Sequence, residues 1–138
     1  QTCALPISLK AAVAKGVPFF GICVGLQVLF DSSEEAPNVA GLGIFKGKCV
    51  RFQTGKVPQI GWNKIQTTAA NTFLSDDFYY FVNSYHVVPS DSSIVSAVAD
   101  YHIPFTAAVQ CKNVTATQFH PEKSGQMGRD TLKRWVFA

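Results

Sequence analysis

A cysteine stands between two glycines in Gly21-Ile22-Cys23-Val24-Gly25, where an apolar run gives way to helical spacing. A strand-to-helix junction of this kind is the thiol version of the sharp elbow that presents a hydrolase nucleophile, and small flanking residues let the side chain project clear of the turn. Aligned backbone dipoles at a helix N-terminus favour the thiolate, so Cys23 is expected to be reactive near neutral pH. Taken alone, the pattern reads better as a buried cysteine between chance glycines. A second element changes that balance: Gln118-Phe119-His120-Pro121-Glu122 ends an apolar strand with a histidine two residues before a carboxylate. His120 can take a thiol proton and return one to a leaving group, while Glu122 fixes its tautomer and supports the imidazolium.

The elements that must position these groups can be read from periodicity. Ser8 to Lys15 reads as the end of a helix stopped by Gly16, and Val17 to Ile22 as a buried strand of the parallel kind. Gly25 to Phe30 resumes helical spacing through Leu26, Leu29 and Phe30, Asp31 to Pro37 is a polar loop, and Gly41 to Phe52 carries short strands. Ile60–Gln66, Phe78–Val82, Ile94–Ala99, Phe105–Cys111 and Val114–Phe119 are all strand-like, punctuated by Pro89, Asp91 and Pro104. Gly128 to Phe137 predicts a closing helix with Leu132, Trp135 and Val136 on its packed face.

Composition sets the outer bounds. The 138 residues are 47% hydrophobic and only 15% charged, with a mean hydropathy of +0.13, which suits a single α/β domain with a substantial core. The net charge of +3 is scattered, without a basic run, which argues against nucleic-acid or membrane-surface binding. No apolar stretch reaches the roughly 18 residues of a membrane span, and Val17 to Leu29 is interrupted by Pro18, Gly21 and Gly25. Cys3, Cys23, Cys49 and Cys111 lack C-x-x-C spacing, so the reading is a cytoplasmic protein with neither a metal site nor disulfides, and with Cys49 and Cys111 in the core. Asn113-Val114-Thr115 matches a glycosylation acceptor by chance, and His86 and His102 read as surface or packing residues.

GICVGLQ around Cys23 and QFHPE around His120, 97 residues apart, resemble the two signatures of class I glutamine amidotransferases. The resemblance implies a flavodoxin-like α/β fold, with helices flanking a central, mostly parallel sheet. It implies Cys23 as nucleophile, His120 and Glu122 completing a triad, and a glutamine site formed by Val24, Gly25 and Gln27, with the Val24 N–H as an oxyanion donor. No cofactor is implied. DSSEEAP (Asp31 to Pro37), VPQIGWN (Val57 to Asn63), YYFVNSY (Tyr79 to Tyr85) and PEKSG (Pro121 to Gly125) are similar to the imidazole glycerol phosphate synthase branch. There the chain would hydrolyse glutamine and pass ammonia to a cyclase, as a separate subunit or a fused domain, giving imidazole glycerol phosphate and aminoimidazole carboxamide ribotide in histidine biosynthesis. Gln59, Trp62 and Asn63 would then face the cyclase, and Ser84 and Tyr85 would line the glutamine pocket through backbone groups. Trp62 and Tyr85 also read as core aromatics.

Two departures accompany the resemblance. Asn83 replaces the family's usual histidine before Ser-Tyr, and the family's opening third, with its first strands and a glycine-rich oxyanion loop, has no counterpart before Ser8. Gln1 to Ile7 back-translates to CAG ACG TGT GCT CTT CCG ATC, similar to the end of a sequencing adapter, so residues 1–7 are read as a non-native leader and 8–138 as an N-terminally truncated amidotransferase domain. The rival readings are another branch of the same superfamily, against which the GWN stretch and PEKSG argue, and a catalytically incompetent fragment that serves as an interaction module.

Overall fold

The computed structural model describes residues 4–138; Gln1 to Cys3, part of the expected leader, lie outside the described residues. Ala4–Ala14 form helix α1, and Leu5 and Ile7 stand outward from its first turns. Gly16, at φ +85, ends the helix as expected: its N–H reaches Val13 O, and that of Val17 reaches Ala12 O. That paired closure needs the left-handed backbone which glycine adopts without penalty. Asn113 clamps the exit, donating to the carbonyls of Val13 and Val17.

Strand β1 (Phe19–Ile22) follows, then the one-turn helix α2 (Val24–Gln27), the two-residue strand β2 (Ser32–Ser33) and β3 (Gly47–Arg51). The second half holds β4 (Gln59–Thr67), β5 (Phe78–Asn83), β6 (Tyr85–Pro89), β7 (Val95–Asp100), β8 (Pro104–Cys111) and β9 (Val114–Thr117). Helix α3 (Gly125–Val136) closes the chain. Six strands form one sheet in the order β1-β9-β8-β7-β4-β5, and β2-β3-β6 form a smaller one. The strand read from sequence as Phe78 to Val82 is β5, and after Ser84 comes β6, a strand of the other sheet that the sequence reading did not mark.

The α/β class is as expected, but within the six-stranded sheet only β1 and β9 run parallel, and the other neighbours are antiparallel. The mostly parallel sheet inferred from the resemblance is therefore not the pattern among the described strands. The reason is local: β7, β8 and β9 follow one another through short turns, which can only reverse direction, whereas β1 reaches β9 by a crossover.

Two apolar clusters fill the interior. One gathers Phe52, Ile65, Tyr79, Phe81, Phe105 and Phe119, and the other Leu26, Leu29, Phe30, Val87, Val109 and Val114. Strands β8 and β9 lie between them and are buried on both faces, from Phe105 to Val109 and from Val114 to Thr117, with Thr106, Thr115 and Thr117 buried among the apolar residues. Helix α3 packs through Gly128 and Thr131, with Trp135 set edge-on against Phe20 at 5.1 Å. Val136 points to solvent, correcting the packed face read from sequence: close approach at a glycine turns the helix onto residues 128, 131 and 135. Cys49 is core, Cys111 is only half-buried, and no described helix is long and apolar enough to cross a membrane.

Candidate active site

Cys23 caps α2 with φ 54 and ψ −104, backbone that a non-glycine residue holds only where its surroundings over-determine it. Those surroundings are visible. The Cys23 N–H donates to Thr117 O at 2.8 Å, continuing the β1–β9 ladder, and its carbonyl accepts from the N–H groups of Leu26 and Gln27. The flanking glycines differ in role. A Cβ on Gly21 would lie 2.7 Å from the carbonyl carbon of Gly25, whereas one on Gly25 meets nothing within 4 Å. Only Gly21 is sterically required by the elbow.

The thiol and the histidine meet the same strand edge. Strand β5 ends the six-stranded sheet, which leaves one row of its backbone groups without a neighbouring strand. The active-site segments occupy that row: Cys23 Sγ lies 3.8 Å from Val82 O, and the His120 N–H donates to Tyr80 O at 2.9 Å. Two residues of strand span about 7 Å, so one short stretch of edge registers both groups. Ser124 completes the seal, since its Oγ accepts from the Tyr80 N–H and donates to His120 O.

Pro121 opens a single 3-10 turn after His120, which folds Glu122 back onto the imidazole. Glu122 Oε1 lies 2.6 Å from His120 Nδ1, leaving Nε2 for the proton transfer. The histidine is mostly shielded while the glutamate is about half exposed. Burial pushes the Cys23 thiol above its ordinary value; the Val24 N–H and the Gln118 amide oppose this, and the charges of Glu122 and Glu35 add to it. The expectation of a thiolate stabilised by the helix terminus is corrected here, because one turn of helix does not offset desolvation. Burial thus biases Cys23 toward the thiol form.

Beside the elbow lies a cleft of about 150 Å³ lined by Val24, Gln27, Val28, Ser33, Glu35 and Gly41. It brings together Val24 and Gln27 of the expected glutamine site, and adds Glu35, a carboxylate whose loop was noticed in the sequence but whose chemistry was not. Ser84 and Tyr85 do not line it: Ser84 O accepts from the Phe52 N–H, and Tyr85 O accepts from both Gln27 and Asn83. Gly25 also lies off the lining.

The three proposed interface residues behave differently from one another. Trp62 is 55% exposed and set edge-on to Tyr80. Asn63 is half-buried, donating to Asp100 O and to Gln59 Oε1. Gln59 is only 3% exposed and turned inward to Asn83 Oδ1 at 3.0 Å, so it offers no side-chain surface to a partner. Its neighbours Ile60 and Trp62, with Phe78 on β5, form the exposed apolar face instead. Sequence reasoning also missed Gln118, fully buried with Nε2 3.6 Å from Cys23 Sγ.

Residues 2–138 match the protein family described as glutamine amidotransferase class-I. Among curated proteins, the chain is 44% identical to imidazole glycerol phosphate synthase subunit HisH of Methanothermobacter thermautotrophicus, over 94% of this chain and 67% of that one. It is 46% identical to the subunit of the same name from Trichodesmium erythraeum, over 96% and 65%. The chain thus spans about two thirds of the length of these relatives. Among solved structures, a glutamine amidotransferase shares the fold with a TM-score of 0.65 at 19% identity, over 95% of this chain and 68% of the other.

Proposed function

The chain belongs to the class-I glutamine amidotransferase family, and from that premise we propose that it hydrolyses glutamine to glutamate and ammonia for imidazole glycerol phosphate synthase. The observation that carries the reading is the joint registration of Cys23 and His120 on the free edge of β5, with Glu122 bound to His120 Nδ1 at 2.6 Å. His120 Nε2 takes the Cys23 proton as Sγ attacks the side-chain carboxamide carbon of glutamine, and the Val24 N–H faces the developing oxyanion. The C–N bond breaks, and ammonia leaves with the proton from His120. Water, deprotonated by the same imidazole, then opens the thioester, releasing glutamate and restoring the thiol. Glu35 supplies the negative charge that a substrate ammonium group would meet in the cleft.

Ammonia passes to a cyclase partner, separate or fused, and the exposed Ile60, Trp62 and Phe78 face is where we place that partner. The partner's chemistry yields imidazole glycerol phosphate and aminoimidazole carboxamide ribotide in histidine biosynthesis. We place the protein in the cytoplasm, where a reducing environment keeps Cys23 free. We take residues 8–138 as the amidotransferase domain, within the stretch 2–138 that matches the family.

The test is glutamine hydrolysis by the full chain with and without the cyclase, in wild type and Cys23→Ala. Turnover that rises with the partner and is lost in Cys23→Ala is expected. Turnover indifferent to the cyclase refutes the branch, and turnover that survives the substitution refutes the nucleophile.

A further inference from the structure

Five carboxamide side chains run in hydrogen-bonded sequence from the nucleophile to the far side of β4. Gln118 Nε2 donates to Cys23 Sγ at 3.6 Å, and Gln118 Oε1 accepts from Gln27 Nε2 at 3.2 Å. The same Gln27 nitrogen donates to Tyr85 O at 3.2 Å, where it meets Asn83 Nδ2 at 2.9 Å. Asn83 Oδ1 accepts from Gln59 Nε2 at 3.0 Å, and Gln59 Oε1 accepts from Asn63 Nδ2 at 2.8 Å. Asn63 ends the series on Asp100 O.

This series is not ordinary surface polarity. Gln118, Asn83 and Gln59 are each at least 95% buried, and Gln27 is nearly so. Burying amides costs free energy unless each is satisfied, so an arrangement in which the oxygens of Gln118, Asn83 and Gln59 each take a neighbouring amide's N–H is a constraint on all of them at once. Tyr85 O has both lone pairs occupied, which fixes the point where the two halves join. A Gln118 amide turned end for end would present its oxygen to Sγ and its nitrogen to the Gln27 N–H. The series therefore selects the orientation in which an N–H meets sulfur.

We propose that Gln59 and Asn83 are positioning residues for the nucleophile, acting through Tyr85 O, Gln27 and Gln118 to hold a donor on Cys23 Sγ. The inference deepens the glutaminase reading and rests on it for its catalytic meaning, but its physical content concerns the thiol alone. The charged and titratable groups that also act on Cys23 are Glu122, bonded to His120 beyond β9, Glu35 after β2 and Cys49 on β3, and the variants leave all of these in place.

The experiment is the pH dependence of Cys23 alkylation by iodoacetamide in the full chain, measured without glutamine, with near-ultraviolet circular dichroism to establish the native fold. Cys23→Ala supplies the background from the other cysteines. Gln118→Leu, which removes the donor itself, is expected to raise the apparent thiol pKa by about one unit. Asn83→Leu and the nearly isosteric Gln59→Met are expected to raise it by about half a unit, slowing alkylation near neutrality about threefold. Gln59→His, which restores an N–H toward Asn83 Oδ1, should return the profile to its wild-type position.

A shift in Gln118→Leu with none in Asn83→Leu and Gln59→Met overturns the positioning role, as does a Gln59→His profile that stays shifted. No shift in Gln118→Leu overturns the contact on which the series ends. If Asn83→Leu does not fold, the Gln59 pair decides the matter. A wild-type chain that alkylates as expected but never hydrolyses glutamine defeats the functional reading and leaves this inference standing.

Discussion

Gly128→Ala separates packing for function from packing for stability by the sign of its effect. On an unencumbered helix, alanine in place of glycine stabilises by about 1 kcal/mol. Here the new Cβ would lie 2.7 Å from the Pro121 carbonyl carbon and 2.9 Å from Ser124 Cβ, where ordinary contact begins at 3.4 Å. Helix α3 cannot simply retreat, because Thr131 is fully buried and bonded to Tyr79 Oη, and Trp135 packs on Phe20. The displacement therefore passes into the 120–124 turn, which holds His120 through Ser124 Oγ and carries Glu122. Overpacking of this kind costs about 3 kcal/mol, which for a domain of this size lowers Tm by about 10 °C. A shift of about 1 Å at the imidazole lowers kcat by about 100-fold. Thermal melting and steady-state glutaminase assays on the full chain with its partner read both effects. A Gly128→Ala protein with raised Tm and wild-type kcat would refute the claim that this contact sets the base.

Three further substitutions test the elbow and the core. Gly21→Ala should destabilise the fold by about 2 kcal/mol in urea titration, while Gly25→Ala, with open space at its Cβ, should leave stability unchanged or raise it by up to about 1 kcal/mol; equal losses would contradict the asymmetry. His86 is buried 4.6 Å from Phe52, and burial holds its pKa below the ordinary 6.5. The unfolded chain therefore binds the proton more readily, so the stability linked to this histidine is present above pH 6.5 and is lost as pH falls through the lowered folded value. His86→Phe should flatten that acid limb in urea titrations across the window, and an unchanged slope would show that other groups produce it.

The chemistry was legible because each half of it is contiguous in sequence. An elbow needs its glycine, cysteine and following turn within a few residues, and a histidine followed by Pro-Glu carries its own orienter. Strand positions were legible from β-branched and apolar stretches bounded by breakers, as in β8 and β9. What could not be read was direction and depth. The short turns reverse β7, β8 and β9 locally, but the pairings of β7 with β4 and of β1 with β9 depend on partners chosen in three dimensions. The burial of Gln118 and the inward pairing of Gln59 with Asn83 were hidden because Gln118 meets Gln27 and Cys23, 91 and 95 residues away, and Gln59 meets Asn83, 24 residues away, and no local pattern marks a buried amide. The thiol's raised pKa was equally hidden, because desolvation is a property of the packed site and not of the helix start.

Strand β4 shows why this failure falls where it does. Alternation normally sends apolar side chains inward and polar ones out, and a register slip would exchange the two faces. At the start of β4 the faces are inverted: Gln59 is buried and Asn63 partly so, while Ile60 and Trp62 stand outside. The inversion is stable because the inward amides are satisfied by Asn83 and Asp100, and it ends at Ile65, where the apolar side chain returns to the core. For an isolated domain the arrangement exposes apolar surface with no folding gain to offset it. It becomes intelligible if the outer face meets another surface while the inner face holds the groups behind the nucleophile. Local rules of this kind are broken where function requires it, so the segment that misleads a reading by alternation is also the one that joins the proposed partner face to the Cys23 thiol.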